Sequence, residues 1–274
     1  MATHSSLRYT TAMQRGFSLV ELSIVLVILG LLTGGILAGQ SLIRASEIRA
    51  VVSEYQRYAT ATQTFRDKYL SVPGDMSNAT RFWNRQVNQA WCVTNSSASV
   101  TTPGTCDGDG DGLVENTAGA VSQSSERFQI WRQLANAGLI EGNYSGYTGS
   151  TAVDAPVVGD NTPPGKVATT GWSAYARGNY AGLTAYLFAG DYGNELSLTR
   201  WTSGTGSGFL KAEEVWSIDT KLDDGKPGKG FIFVWNIGEC TDAGTGAGSE
   251  TNTSASYLLT ATTTNCGIHF LRQL

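Results

Sequence analysis

The sequence predicts an α+β fold. One long N-terminal α-helix, membrane-spanning in its first half and amphipathic in its second, packs on an antiparallel β-sheet head with short helices, loop insertions and two disulfides. Three observations predict it. A nearly unbroken apolar run extends from Phe17 to Gly39. Behind it Ile48, Val52, Tyr55, Ala59, Thr62, Phe65 and Tyr69 recur at spacings of three and four, which places them on one helical face. Late in the chain, residues 230–237 are aromatic and β-branched between glycine-bearing turns, and so read as a strand.

The apolar run comes first. A hydrocarbon core about 30 Å thick needs roughly 20 apolar residues in helix, and residues 17–39 supply them. The leader before it, residues 1–16, holds Arg8 and Arg15 and no acid. Its basic residues should stay cytoplasmic, which sends residues 40–274 outward. Glu21 is the one carboxylate in the run. An intramembrane carboxylate is costly unless neutralised, so Glu21 reads as a functional group. A cleaved secretory signal would carry its small-residue cleavage site after the apolar run. Here Gly16 precedes the run, and Gly34, Gly35 and Gly39 form no Ala-x-Ala pattern. A plain membrane anchor gives no reason for Glu21.

The segment Gly16-Phe17-Ser18-Leu19-Val20-Glu21 resembles the type IV prepilin cleavage and methylation motif of pilins and type II secretion pseudopilins. The resemblance implies that a prepilin peptidase cuts between Gly16 and Phe17, and that Phe17 becomes the N-methylated first residue. It also implies that Glu21 pairs with the freed amino group of a neighbouring subunit. Such pairing offsets part of the desolvation cost of both charges and sets axial register more than it adds stability. One departure is Ala38, near where many members carry a helix-breaking proline. Gly30, Gly34 and Gly35 can loosen the helix instead. The missing proline counts against a major, fibre-building subunit.

Past the membrane, Arg44, Glu47, Arg49, Glu54, Arg57 and Arg66 fall mostly off the apolar stripe. Val72-Pro73-Gly74-Asp75 stops the helix, because proline cannot continue it and disfavours helix just before itself. Phe17 to Leu70 is then one helix of about 54 residues, roughly 80 Å long. The expected organisation is a leader at 1–16, the helix at 17–71 with its membrane and fibre-core part at 17–39, and a head at 72–274. Asn78 to Trp91 reads as a short helix. Ser124 to Ala137 reads as a better one, capped by Ser125, apolar through Phe128, Trp131 and Leu134, and ended by Gly138. Residues 142–180 read as a loop-like insertion with room for short strands. Leu183 to Phe188 and Glu195 to Trp201 are expected strands, Ala212 to Leu222 a helix, and Cys266 to Leu271 a last strand beside residues 230–237.

The chain of 274 residues carries 19 basic and 23 acidic residues. Without the leader the balance is 17 against 23, a formal −6, which argues against nucleic acid as a partner. Its four cysteines allow three connectivities. Sequential pairing, Cys92–Cys106 and Cys240–Cys266, is expected because each pair brackets a loop rich in Ser, Thr and Gly. Closing loops of about 15 to 27 residues stabilises by roughly 3 kcal/mol each. Bridges also suit an exported head.

The sharpest signal after the leader is the run from Cys106 to Glu115, in which Asp107, Asp109 and Asp111 alternate with glycine. It resembles the first half of an EF-hand calcium loop, with Leu113 at the backbone-carbonyl position. The twelfth position is Ala118, so the usual bidentate glutamate is absent; Glu115 or Glu126 can replace it, and the sequence does not choose. The competing reading is a solvated acidic turn. A second acidic stretch, Asp219 to Gly225 with Asp223 and Asp224, reads as an ordinary turn, joined in space by Glu239 and Asp242 only if the fold brings them. Beyond the leader the one histidine is His269, in an apolar strand-like setting, and no nucleophile elbow, zinc motif or phosphate loop is present. The chain therefore reads as a non-enzyme. Trp172, Tyr175, Tyr180, Tyr186, Tyr192 and Trp201 invite a sugar-binding reading, with packing the favoured one.

The reading is a structural pilin-like subunit of a type IV pilus or a type II secretion pseudopilus. Its expected partners are other pilin subunits, a prepilin peptidase and an inner-membrane assembly platform. It starts in a bacterial inner membrane with its head in the periplasm, and it ends in a periplasmic or surface filament. The alternative is a membrane-anchored, calcium-dependent extracellular binding protein or adhesin that never polymerises.

Overall fold

The computed structural model describes residues 18–84, 104–115, 126–147, 156–202, 205–271 and 274. The chain divides into two compact units, Met1–Ser46 and Glu47–Leu274. The first helix, α1 (Leu19–Tyr69), contributes residues to both. Within the first unit its large apolar side chains are uncovered, from Leu19 at 86% exposure to Ile43 at 64%. An apolar helix with nothing packed on it needs lipid or other helices around it.

In the second unit α1 buries Ile48, Val51, Glu54, Tyr55, Tyr58, Ala61, Thr62 and Phe65. The expected stripe is thus rotated towards Val51 and Tyr58, leaving Val52, Ala59 and Tyr69 only partly buried. Glu54, expected off the stripe, is a correction: it lies in the core. Its carboxylate accepts hydrogen bonds from the Lys166 backbone N–H at 3.0 Å and from the Trp172 indole at 3.3 Å, which makes that burial tolerable. The helix ends one residue before the expected Leu70, which takes a left-handed φ of 55°.

Beyond it come α2 (Thr80–Trp83), α3 (Glu126–Asn136), β1 (Thr170–Ala176), β2 (Asn179–Tyr180), β3 (Gly190–Asp191) and β4 (Asn194–Thr202). They are followed by β5 (Thr205–Ser207), α4 (Ala212–Leu222), β6 (Gly228–Lys229), β7 (Ile232–Trp235), α5 (Ile237–Cys240) and β8 (Gly267–Phe270). The main sheet is antiparallel in the order β1-β4-β8-β7-β6, with β5 also on β4, while β2 and β3 form a separate ribbon.

Register explains where the core lies. Trp172, Leu198, Ile268 and Val234 stand opposite one another across four strands, as do Ala174, Leu196, Phe270 and Ile232. All eight are fully buried. The row between them, Ser173, Ser197, His269 and Phe233, points to the other face because strand side chains alternate. Against the inner face, Tyr55 stacks on Phe270 with centroids 4.0 Å apart, and Tyr58 meets Trp172 edge-on at 5.3 Å and Trp131 at 5.2 Å.

Several expectations hold and some do not. The α4 bounds match, β7 lies inside its expected run, and β8 pairs beside it. Gly138 ends the α3 region with a φ of 73°, while Ser125 lies outside the described residues. The helix expected from Asn78 to Trp91 is described only as α2, and residues 85–91 lie outside the described residues. Leu183 to Phe188 is not a strand. Ala185 has a φ of 66°, and Leu183 and Leu187 bridge each other across a tight turn, since local closure outcompetes the β-propensity of the run. Among the described residues one disulfide is formed, Cys240–Cys266, with its Cα atoms 5.8 Å apart. The expected Cys92–Cys106 bridge involves Cys92, which lies outside the described residues.

Candidate functional site

At the N-terminal end, Gly16 and Phe17 lie outside the described residues. Ser18 and Glu21 form a reciprocal cap on α1. The Ser18 backbone N–H donates to Glu21 Oε2 at 2.9 Å, and the Val20 N–H donates to Ser18 Oγ at 3.3 Å. Two of the helix's otherwise unpaired N–H groups are thereby satisfied, and the carboxylate sits at the positive end of the helix dipole. The Ser-x-x-Glu spacing carries this signal, although the carboxylate alone draws attention first.

The acidic loop is built from three separate pieces of chain. Gly74 has a φ of 95°, and a Cβ there would lie 2.6 Å from the Glu126 carbonyl oxygen, so glycine is what lets the chain after α1 cross the start of α3. A Cβ on Gly108 would meet Asp75 Cα at 2.5 Å, so that glycine lets the acidic loop lie on Asp75. Asp75 Oδ1 then accepts the Gly110 N–H at 2.6 Å, and its Oδ2 accepts the Gly112 N–H at 2.8 Å. Asn194 of β4 fixes the far end, accepting from the Val114 N–H at 2.9 Å and donating to the Gly112 carbonyl at 2.8 Å.

The carboxylates form two overlapping groups that share Asp109. Asp75, Asp109 and Asp111 have ligand oxygens within 4.8 Å of one another, and so do Asp109, Glu115 and Glu126. Glu126 Oε1 accepts the Asp109 N–H at 3.1 Å and its Oε2 accepts the Glu115 N–H at 3.2 Å. Burial raises the Glu126 carboxyl to about 9, helped by a hydrogen bond to the Glu115 side chain and opposed by the two N–H donors. Without a cation, the protonated form of Glu126 is therefore favoured at neutral pH. Asp75 is also raised, first by burial and further by Asp109 and Asp111, against the pull of its two amide donors.

One of the expected ligands is placed elsewhere. Asp107 is not in either group. Its carboxylate accepts the Thr80 N–H at 2.7 Å and the Thr80 hydroxyl at 2.9 Å, so it serves the first turn of α2. Leu113 contributes its N–H to Asp111 Oδ1 at 2.8 Å. Asp75 takes the place foreseen for Asp107, and sequence reasoning missed it. It sits in the Pro-Gly-Asp stop after α1, more than 30 positions away from the loop, and spacing within the loop cannot reveal it.

The second acidic stretch is consumed locally. Asp219 accepts the Tyr257 hydroxyl at 2.7 Å and the Gly225 N–H at 2.9 Å, and burial raises its carboxyl to about 7. Asp223 Oδ2 accepts the Ile232 N–H at 3.0 Å, and Asp224 Oδ1 the Lys226 N–H at 2.8 Å. These three acids lie close together. Glu239 and Asp242 are engaged elsewhere, with Asn265 and the Ser256 N–H. His269 Nδ1 lies 3.1 Å from Glu195 Oε1, close but not aligned for a hydrogen bond. Glu195 is fully buried, which alone would raise its carboxyl, but His269 and Arg177 hold it below the usual range.

Comparison with family models matches residues 11–37 to the prokaryotic N-terminal methylation motif. Neither curated proteins nor solved structures gave a match to the chain. The motif runs into a helix that is long and apolar enough to cross a membrane, as a membrane-anchored protein with an N-terminal processing motif would have. More particularly, residues 11–37 carry the N-terminal methylation motif, the prepilin motif of type IV pilins and pseudopilins.

Proposed function

We propose that the protein is a structural subunit of a type IV pilus or a type II secretion pseudopilus. A prepilin peptidase cleaves it between Gly16 and Phe17, Phe17 is N-methylated, and an inner-membrane platform assembles it with other pilin subunits into a helical filament. The observation that carries this is the methylation motif at residues 11–37 leading into an uncovered apolar helix. In the filament, the helices of neighbouring subunits replace lipid around residues 17–39, and Glu21 meets a neighbour's N-terminal ammonium. Mass spectrometry of protein sheared from cells tests it. A mature chain that begins with methylated Phe17 supports the reading. A chain that retains residues 1–16 and occurs only as single molecules in the membrane supports the anchored binding protein instead.

The head of this subunit holds calcium in our reading. Asp75, Asp109, Asp111, Glu115 and Glu126 offer hard oxygen ligands of the kind calcium takes in sixes to eights. A divalent cation there would offset the burial that raises the Glu126 carboxyl, and the smaller repulsion from Asp75. Differential scanning calorimetry with calcium and with a chelator tests this. A thermal midpoint that does not move between the two removes the calcium assignment and leaves the filament assignment intact.

A further inference from the structure

The outer face of the sheet, opposite the one that α1 covers, carries a cavity of about 230 Å³ over β1, β4, β5, β7 and β8. Its floor is polar. Ser197 and His269 stand directly opposite each other on β4 and β8, and both line the cavity although they are only 3% and 6% exposed. The Ser197 hydroxyl has no hydrogen-bond partner among the described residues. His269 turns Nδ1 towards buried Glu195 at 3.1 Å, and no described residue hydrogen-bonds its Nε2. Buried hydroxyls are ordinarily paired, so an unpartnered one in a cavity floor marks a place for a guest.

The wall of the cavity is aromatic, from Tyr175, Trp201 and Trp235, each half-buried. Trp201 lies between two glycines: a Cβ on Gly171 would come within 3.2 Å of its Cδ1, and one on Gly206 within 3.5 Å of its Cζ3. Of the aromatic residues that invite a sugar-binding reading, Trp172 and Tyr192 are fully buried in the core, whereas Tyr175 and Trp201 meet here. Thr199 and Ser207 add hydroxyls to the lining, and no carboxylate lines it among the described residues. The two arginines that also line it are engaged within the protein. Arg177 pairs with buried Glu195 at 3.1 Å, and Arg127 donates from Nε and Nη2 to the Ser173 hydroxyl at 3.2 and 2.9 Å. Neither offers an open fork to an anion, so the cavity presents rings and hydroxyls rather than a charge.

We propose that this cavity binds one neutral hexopyranose unit. The aromatic wall suits the apolar C–H face of a pyranose ring. The Ser197, Thr199 and Ser207 hydroxyls and His269 suit its edge hydroxyls, since both sides can donate and accept. The cavity is smaller than the about 300–1,000 Å³ of pockets that hold drug-sized ligands, so it fits a single ring rather than a chain. The inference rests on the head alone and is independent of filament assembly.

The test uses the full chain in a detergent without a sugar headgroup, titrated and read by saturation-transfer difference NMR. Methyl glucoside, methyl galactoside and methyl mannoside are the probes, and glycerol, cyclohexanol and glucuronate are the controls. The expected result is saturable binding of at least one glycoside below about 10 mM. Glycerol, which lacks the ring, and cyclohexanol, which lacks most of the hydroxyls, should each bind about tenfold more weakly or worse, and glucuronate no more tightly than the best glycoside. Trp201→Ala should weaken glycoside binding about tenfold or more, and Ser197→Ala, which removes only the floor hydroxyl, about three- to tenfold. Thermal midpoints of both variants are measured alongside, and Ser197→Ala decides if Trp201→Ala fails to fold. Absence of saturable glycoside binding leaves the cavity to water and overturns the proposal. So does a control that binds as tightly as the best glycoside (for glucuronate, more tightly), and so does binding that Ser197→Ala leaves unchanged.

Discussion

Asp75 shows how one side chain joins distant segments. Its two oxygens hold the amides of Gly110 and Gly112, so it shapes the acidic loop without a cation. Asp75→Asn keeps one acceptor oxygen and removes the charge, and it should weaken calcium stabilisation more than it weakens the metal-free fold. If the ion binds as proposed, calcium at about 100 times its Kd adds about 2.7 kcal/mol, or roughly 5–10 °C in thermal midpoint for a domain of this size. The variant should lose most of that rise; an unchanged rise in the variant assigns the ion elsewhere. Asp219 gives a second test at this scale. Burial raises its carboxyl from 3.8 to about 7. Between those values the folded state holds a proton that the unfolded chain has released, so stability falls as pH rises from about 4 to about 7. Asp219→Asn cannot titrate, and its urea midpoints should fall less across that window than those of the parent.

At the level of elements, the clearest signals were those set by local pattern. The α4 helix and β8 follow from periodicity and composition within a single stretch, and their positions agree with the structure. Where a tertiary partner decides the outcome, pattern alone falls short. Glu54 looks like a surface charge until the Lys166 amide and the Trp172 indole come from more than 100 residues away to satisfy it. The run from Leu183 to Phe188 looks like a strand, but positive φ at Ala185 turns it back on itself. The acidic cluster divides in the same way: Asp109 and Asp111 stood out in the loop, Glu115 and Glu126 were alternatives that the sequence did not separate and the fold brings both, whereas Asp75 needed the fold and Asp107 was diverted to Thr80. The Cys240–Cys266 bridge was legible because both cysteines flank one loop, and it ties the end of α5 to the start of β8. Replacing both cysteines by serine should lower stability by about 3 kcal/mol through the freed unfolded chain. A urea titration of the double variant measures it; a loss below about 1 kcal/mol would mean that the loop is held by its packing instead.

For the whole molecule, the chemistry turns on what Glu21 does as the one charged side chain in the apolar first half of α1. In the single subunit it accepts the Ser18 N–H and so has a structural use as a helix cap, independent of any neighbour. In an assembled filament it would instead face a neighbour's ammonium, a role that needs its charge. The two roles separate by substitution. Glu21→Gln keeps an oxygen that can accept the Ser18 N–H and complete the reciprocal cap, but it carries no charge. Glu21→Ala removes both and makes the segment more apolar, so membrane insertion should persist or improve. If charge pairing drives assembly, both variants enter the membrane at parental levels and both lose filaments, seen by electron microscopy of sheared material. The loss should be severe even though the pair adds little net stability, because an ammonium stranded in an apolar fibre without its carboxylate costs about 3–5 kcal/mol per subunit. Filaments formed by Glu21→Gln but not by Glu21→Ala would reduce Glu21 to a helix cap, and filaments formed by both would leave the carboxylate without a role in assembly.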